Sequence, residues 1–381
     1  RAMSDPLTFE RAGDDDRINL AVGQPSIDLI PKKMLQTAAA RAFKNAPEHA
    51  FNYGDPQGEP IFRAALALFL QGQGQTNARA ESLFLTGGNS QALDFVCERF
   101  TQPGDVVLVE DSTYFLALQI FKDRGLNIVG LPCDADGIEL PALINAIETH
   151  KPRLLYTIAS FANPTGLSLA EARRAEIARL SKQHDFIVAA DEAYQLLHFE
   201  KPAPKSFSHF LTDGNILCLG TFSKILAPGL RVGWLEVSEA LMPRLLASGW
   251  VNSGGAINQM ASFIVTDCLQ QGALALHLST LRHTLAARAA VMQSALKANL
   301  SELATWTAPK GGYFFWLRLT DSINTDDLVA PASRASVGFQ PGNFSSANGH
   351  HPNYLRLSFA AYGVTEIETG IQRLRTVLRQ H

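Results

Sequence analysis

The sequence predicts an α/β protein: a mostly parallel sheet wrapped by helices, followed by a smaller α+β domain. Three observations predict it. Short apolar, β-branched runs alternate with longer helical periods along most of the chain, and polar residues with chemical potential recur directly after those runs. Beyond about residue 270 the texture changes to one long alanine-rich helical pattern and then β-like segments.

The candidate strands are Leu83–Thr86, Val106–Glu110, Asn127–Leu131, Leu154–Ile158, Phe186–Ala190 and Ile216–Gly220. Between them, residues 89–100 carry Ala92, Leu93, Val96, Cys97 and Phe100 as one stripe at helical spacing. Ser168-Leu169-Ala170-Glu171 reads as a capping box opening a helix to about Gln183. Residues 274–300 form the long helical pattern, with β-like segments at 312–319 and 354–359 after it. Thr365-Glu366-Ile367-Glu368 reads as a second capping box, opening a final helix whose buried face is Ile367, Ile371, Leu374 and Leu378. The expected division is an N-terminal segment 1–50 packing with the small domain, a large domain 51–275 and a small C-terminal domain 276–381.

Composition narrows the function classes. With 46% hydrophobic residues and only 18% charged ones, against a usual charged share of about 25%, the chain can bury a large core and is not expected to be disordered. The 33 Lys+Arg and 36 Asp+Glu leave a net charge of −3, which argues against a nucleic-acid or anionic-membrane surface. No apolar run approaches the roughly 20 residues that span a bilayer, and residues 1–5 lack the apolar core of a signal peptide. Cys97, Cys133, Cys218 and Cys268 are scattered among apolar neighbours with no CxxC pair, so reduced core thiols in a cytoplasmic protein are expected. The histidines contain no HExxH, and no metal site is expected.

In open α/β sheets, ligands gather outside the carboxyl ends of the strands. Thr86-Gly87-Gly88-Asn89-Ser90-Gln91 follows the first candidate strand and enters a helix, an anion seat suited to phosphate or simply a turn needing glycine. Tyr114 follows the second strand, where by itself it reads as packing rather than function. Asn163-Pro164-Thr165-Gly166 reads as a turn. Asp191 ends a buried strand, where an acid needs a cationic or donor partner. Lys224, in apolar surroundings after the sixth strand, is either a solvated surface residue or a desolvated amine with lowered pKa, the state a Schiff-base nucleophile needs.

In this order, those pieces resemble the fold-type I pyridoxal-phosphate aminotransferases of class I/II. The most specific are Asn163-Pro164-Thr165-Gly166, Asp191 with Tyr194, and Ser223-Lys224 followed by Pro228-Gly229, Arg231 and Gly233. Supporting pieces are Asn52-Tyr53-Gly54-Asp55-Pro56-Gln57-Gly58 and Pro309-Lys310-Gly311-Gly312-Tyr313-Phe314. Within the class, the chain is most similar to the 2-aminoadipate/aromatic (LysN-like) branch, which also supplies the C-terminal domain of MocR-type regulators.

The resemblance implies a seven-stranded large-domain sheet and pyridoxal 5′-phosphate as cofactor. It implies that Lys224 holds the cofactor covalently and, once freed by an amino-acid substrate, acts as base for the proton shift. Asp191 is implied to pair with the pyridine nitrogen, Asn163 and Tyr194 to bond the phenolic oxygen, and Tyr114 to stack on the ring. Gly88, Asn89, Ser90, Ser223 and Arg231 are implied to seat the phosphate, joined by Tyr53 from the neighbouring subunit of a homodimer with a shared active site. Arg356 is implied to grip the substrate α-carboxylate, with Gly23 and Asn163 lining that pocket.

Two positions depart from the pattern. Gly88-Asn89-Ser90-Gln91 stands where many relatives show Gly-Ser-Gln-Gln, so Asn89 is expected to meet the phosphate through backbone alone. Ser336 stands at a place usually glycine. The implied reaction is transfer of an α-amino group between an amino acid (2-aminoadipate, aromatic or other) and a 2-oxo acid such as 2-oxoglutarate. The competing readings are the effector-sensing domain of a MocR-type regulator and a β-lyase using the same cofactor. Nothing basic or helix-turn-helix-like precedes Leu20, which disfavours DNA binding by this chain.

Overall fold

The computed structural model describes residues 16–380; the signal-peptide reading of residues 1–5 lies outside the described residues. The main sheet has seven strands: β1 (Leu83–Thr86), β2 (Val106–Glu110), β3 (Asn127–Leu131), β4 (Leu154–Ile158), β5 (Ile187–Asp191), β6 (Ile216–Thr221) and β7 (Gly233–Val237). Their spatial order is β1-β7-β6-β5-β4-β2-β3. The pairs from β6 through β3 are parallel, while β7 runs antiparallel to both β1 and β6. This is the mostly parallel α/β sheet the alternating pattern predicts.

Strand periodicity sorts the core. Helices α1 (Lys32–Asn45) and α2 (Pro60–Gly72) precede the sheet. Val107, Val109, Leu154, Tyr156, Ile187, Ala189, Leu217 and Leu219 point to one face, where they pack with helix α3 (Asn89–Phe100) and helix α4 (Phe115–Asp123). Leu108, Leu155, Val188, Ala190, Ile216 and Cys218 point to the other, against α5 (Leu140–His150) and α6 (Glu171–Gln183). Both faces are covered, so the strands read as near-continuous apolar runs.

The structure differs from the sequence reading in several places. The strand expected at Phe186–Ala190 starts one residue later and takes in Asp191, which pairs in register with Ile158. Strand β7 was not expected, because Gly233 and Glu236 interrupt its apolar run. Gly233 is needed there: a Cβ would lie 2.7 Å from the Gly220 carbonyl oxygen and 2.9 Å from the Gly88 Cα. Neither capping box forms. Ala170 and Gly363 take the N-cap positions. The Ser168 hydroxyl instead accepts from the Phe161 amide at 3.0 Å, stabilising the Asn163-Pro164 turn. Thr365 falls inside its helix, Val364–Leu378, with Glu366 in the first turn where the dipole favours an acid. Cys97, Cys218 and Cys268 are buried thiols, but Cys133 is exposed on a two-residue strand.

A second sheet of β8 (Ala304–Trp306), β9 (Phe314–Leu319), β10 (Gln340–Pro341) and β11 (Tyr354–Ser358) has the order β8-β9-β11-β10. The long helix Ala273–Leu300 and the final helix pack together beside it. Residues 18–19 pair in parallel with Val337–Gly338, and the Ser358 amide donates to the Leu20 carbonyl. The helix Lys32–Asn45 instead lies on the helix Gln259–Gln270, held by Arg41–Asp267 at 2.7 Å. Among the described residues, no helix is long and apolar enough to cross a membrane.

One buried acid makes the fold pH-sensitive. Glu236 is buried, its Oε1 has no partner, and burial together with the charge of Glu192 pushes its carboxyl up to about 8. An acid raised on folding contributes stability that is complete below its unfolded value and is lost as pH rises to the folded one. Glu236→Gln mimics the protonated acid. Its Tm should rise relative to the parent from about pH 5 and the gap should level off above about pH 8; a gap that does not vary with pH, followed by calorimetry, contradicts this.

Candidate active site

The site sits at the carboxyl edge of the parallel strands, where the chain leaves β2, β4, β5 and β6 one after another. Asp191, the last residue of β5, is buried there. Its Oδ1 accepts from the Asn89 Nδ2 at 2.7 Å and the Ala193 amide at 3.1 Å, and its Oδ2 accepts from the Tyr156 hydroxyl at 2.9 Å. Burial raises the Asp191 pKa; those three hydrogen bonds and the nearby charge of Lys224 oppose the rise.

Lys224 follows β6. Its Nζ donates to the Gly23 carbonyl at 2.8 Å, and its own carbonyl accepts from the Tyr313 hydroxyl at 2.9 Å. The amine lies 5.6 Å from the Tyr313 ring centre and 5.9 Å from that of Tyr194. Burial first, then the cations Arg356 and Arg231, brings the amine down to about 8, against the pull of Asp191. Lys224 is half-buried and its amine donates inward to the Gly23 carbonyl, so it does not stand as a solvated surface side chain.

Arg356, on β11 of the second sheet, reaches across to the turn after β4 and the N-terminal segment. Its Nη1 donates to the Asn163 Oδ1 at 2.6 Å and its Nη2 to the Ala21 carbonyl at 2.5 Å, while its Nε is buried and unpartnered. The guanidinium lies 4.2 Å over the Phe314 ring, and burial lowers it to about 10, still cationic at neutral pH. One side chain thereby ties together the N-terminal segment, the turn after β4 and the second sheet. Gly23 lines the same space: a Cβ there would stand 3.2 Å from the Phe314 ring and 3.8 Å from the Arg356 Nη2.

An anion seat lies at the start of α3. Gly88 holds the N-cap position at φ 93, which glycine adopts without strain, and a Cβ there would stand 3.0 Å from the Arg231 Nη2. Arg231 itself sits at φ 51, uncommon for a residue with a side chain, and this turns it toward the helix start. Ser223 is adjacent, its hydroxyl bonded to the Thr221 hydroxyl at 3.0 Å. Free helix N–H groups with a guanidinium and hydroxyls suit a phosphate.

Most of the residues singled out in the sequence therefore converge. Gly23, Asn163, Lys224 and Arg356 share direct contacts, and Asp191, Asn89, Gly88, Ser223 and Arg231 line the adjoining edge. Tyr114 and Tyr194 complete the walls; burial raises the Tyr194 phenol well above its ordinary value and the Tyr114 phenol to about 12. Two of the residues singled out are exposed on the single chain: Ser90, in the first turn of α3 at the anion seat, and Tyr53, which is 79% exposed. The Asn89 side chain turns to Asp191 and away from the helix end, which leaves its backbone amide for an anion. Tyr156 was missed, since inside an apolar strand it reads as packing. The available signal was its period-two position, on the same sheet face as Asp191.

The sequence pattern of aminotransferase class I and II matches residues 15–374, and the chain belongs to that family. It is 30% identical to aromatic-amino-acid aminotransferase 1 of Thermococcus litoralis, over 96% of this chain and 88% of that protein. It is likewise 30% identical to the HTH-type transcriptional regulator YisV of Bacillus subtilis, over 96% of this chain and 74% of the regulator. Among solved structures, LysN, the α-aminoadipate aminotransferase of Thermus thermophilus complexed with N-(5′-phosphopyridoxyl)-L-leucine, superposes with a TM-score of 0.87 at 30% identity. That match covers 96% of this chain and 92% of LysN.

The protein is thus a pyridoxal-phosphate-dependent aminotransferase of fold type I. The residues present fit that cofactor. A buried carboxylate faces a lysine amine that titrates near 8, and a cationic anion seat lies one helix start away. The pocket geometry carries its own test. Gly23→Val places methyl groups against Phe314 and Arg356, so the KM for amino acid should rise at least about tenfold, near 1.4 kcal/mol, with cofactor affinity unchanged. An unchanged KM would place the carboxylate elsewhere.

Proposed function

We propose that this aminotransferase moves the α-amino group of 2-aminoadipate, an aromatic amino acid or a similar donor to a 2-oxo acid such as 2-oxoglutarate. The observation that carries the reading is the meeting of Lys224, Asp191 and Arg356 at one sheet edge. When bound, pyridoxal 5′-phosphate supplies an electron sink for the bond broken at the substrate Cα.

The protein's own groups do the rest. The helix start at Gly88, Asn89 and Ser90, with Ser223 and Arg231, holds the phosphate. Asp191 receives the pyridine N–H, and Asn163 through its Nδ2, with the Tyr194 hydroxyl, meets the phenolic oxygen. Tyr114 covers the ring face. Arg356 keeps unused donors, including its buried Nε, for the substrate carboxylate. With an amine near 8, the Lys224 Nζ is neutral in enough molecules at neutral pH to take the α-proton and return it. The aromatic walls formed by Tyr114, Tyr194, Tyr313 and Phe314 favour flat donors among these.

The working unit in this reading is a cytoplasmic homodimer. Ile27, Phe43, Phe51, Tyr53, Leu68 and Leu276 are large apolar side chains left exposed on the single chain, as a surface awaiting a second copy would be. Tyr53 then enters the neighbouring site. The likeness to a transcriptional regulator favours a second reading, in which the same site senses an amino acid without turning it over.

Spectral changes on adding single amino acids, followed by 2-oxo acids, test the reaction. A complete cycle is expected for the parent and none for Lys224→Ala; full turnover by that variant would sink the mechanism, and a parent that binds amino acid but never passes nitrogen to an acceptor supports the sensor. Subunit mixing tests the shared site. Lys224→Ala and Tyr53→Ala should each be impaired, and co-refolding them should restore activity through hybrid dimers that carry one intact site. No restoration would place Tyr53 outside the neighbour's site.

A further inference from the structure

We propose that Asn89 is a positioning residue for Asp191: with Tyr156 it clamps the carboxylate so that Oδ2 is the oxygen presented to the pyridine nitrogen. This rests on the cofactor reading above and goes beyond it, since the pattern of the family assigns position 89 to the phosphate.

An ionised carboxylate offers about two lone-pair sites on each oxygen. Oδ1 already accepts twice, from the Asn89 Nδ2 at 2.7 Å and the Ala193 amide at 3.1 Å. Oδ2 accepts once, from the Tyr156 hydroxyl at 2.9 Å. Among the described residues the open site is therefore on Oδ2. Asn89 cannot turn its amide over, because its oxygen would then face the carboxylate. As it stands, that Oδ1 is buried without a donor while Nδ2 also reaches the Leu219 carbonyl at 3.3 Å.

The clamp is made of neutral groups. Asn89, the Ala193 amide and Tyr156 satisfy Asp191 without cancelling its charge, so the charge is left for a protonated ring nitrogen. An arginine in the same place would hold the carboxylate as firmly and neutralise it. Tyr156 is a dependable donor, because burial and the charge of Asp191 keep its phenol protonated. Its ring is wedged against Phe121 at 5.5 Å, which fixes the hydroxyl. Asn89 stands at the first position of α3, so the same helix start that seats the phosphate also sets the carboxylate. The two ends of the cofactor are thereby held in fixed relation.

The test uses the loaded protein with pyridoxal phosphate carrying 15N in the ring. Variants Asn89→Ala, Asn89→Ser and Tyr156→Phe are compared with Ser90→Ala, which touches the phosphate seat alone. Asn89→Ala and Tyr156→Phe should keep the cofactor and shift the 15N resonance toward the unprotonated ring. Their single-turnover rate with amino acid should fall about ten- to a hundredfold, the usual cost of losing a hydrogen bond to a charged group, with the half-saturating amino-acid concentration little changed. Asn89→Ser, too short to reach Asp191, should behave like Asn89→Ala. Ser90→Ala should weaken cofactor binding and leave the resonance in place.

A parent that binds no pyridoxal phosphate overturns the cofactor reading and this inference with it. A parent that binds it, with the 15N signal unmoved in Asn89→Ala and Tyr156→Phe, overturns this inference alone. Tyr156→Phe removes a single hydroxyl, so the test stands even where Asn89→Ala folds poorly.

Discussion

Everything in this molecule turns on keeping a carboxylate charged in a place that penalises charge. Asp191 ends a central strand between two apolar faces, where an unpaired anion is costly. The fold answers with three neutral donors from three different elements: the start of α3, the middle of β4 and the turn after β5. Their convergence requires the strand order observed, since β4 and β5 must be neighbours and α3 must cover the face shared by Tyr156 and Asp191. The unexpected strand β7 belongs to the same requirement. Gly233 lets it run close beneath Gly88, which sets where α3 begins.

The second constraint is the joining of two sheets through one guanidinium. Arg356 comes from the four-stranded sheet, but its partners are Asn163, after β4 of the main sheet, and Ala21 in the N-terminal segment. Gly23 in that segment accepts from Lys224. Any shift of the second sheet against the N-terminal segment therefore disturbs Arg356 and the environment of the lysine together. Further out, Arg288 on the long helix holds the Ser26 hydroxyl at 2.7 Å and the Asp28 carboxylate at 2.7 Å, so the same segment is anchored at both ends of its approach to the site.

Much of this was legible in the sequence because both faces of the sheet are covered. Buried parallel strands announce themselves as apolar runs, and the residues that end them, Asp191 above all, stand out by contrast. What stayed hidden depended on distance in space. Tyr156 lies within an apolar run, where only its target reveals a role. Asn89 was read through its neighbours in sequence, yet its side chain answers to a carboxylate 102 positions away. Gly233 and Glu236 concealed β7 because one is demanded by close backbone approach and the other is a buried acid, and neither rule is visible locally. The capping boxes failed for a related reason: Ser168 had a better partner in the Phe161 amide, across the turn that positions Asn163. Composition was silent on Tyr53, whose exposure acquires meaning only beside a second subunit.

In the proposed reading Lys224, brought down to about 8 near the buried Asp191, is the residue that carries the cofactor. Borohydride reduction of the loaded protein, followed by peptide mapping with mass spectrometry, tests this most directly. One pyridoxyl-modified peptide per chain is expected, with the added mass on Lys224. Label on any other lysine, with Lys224 unmodified, would contradict it.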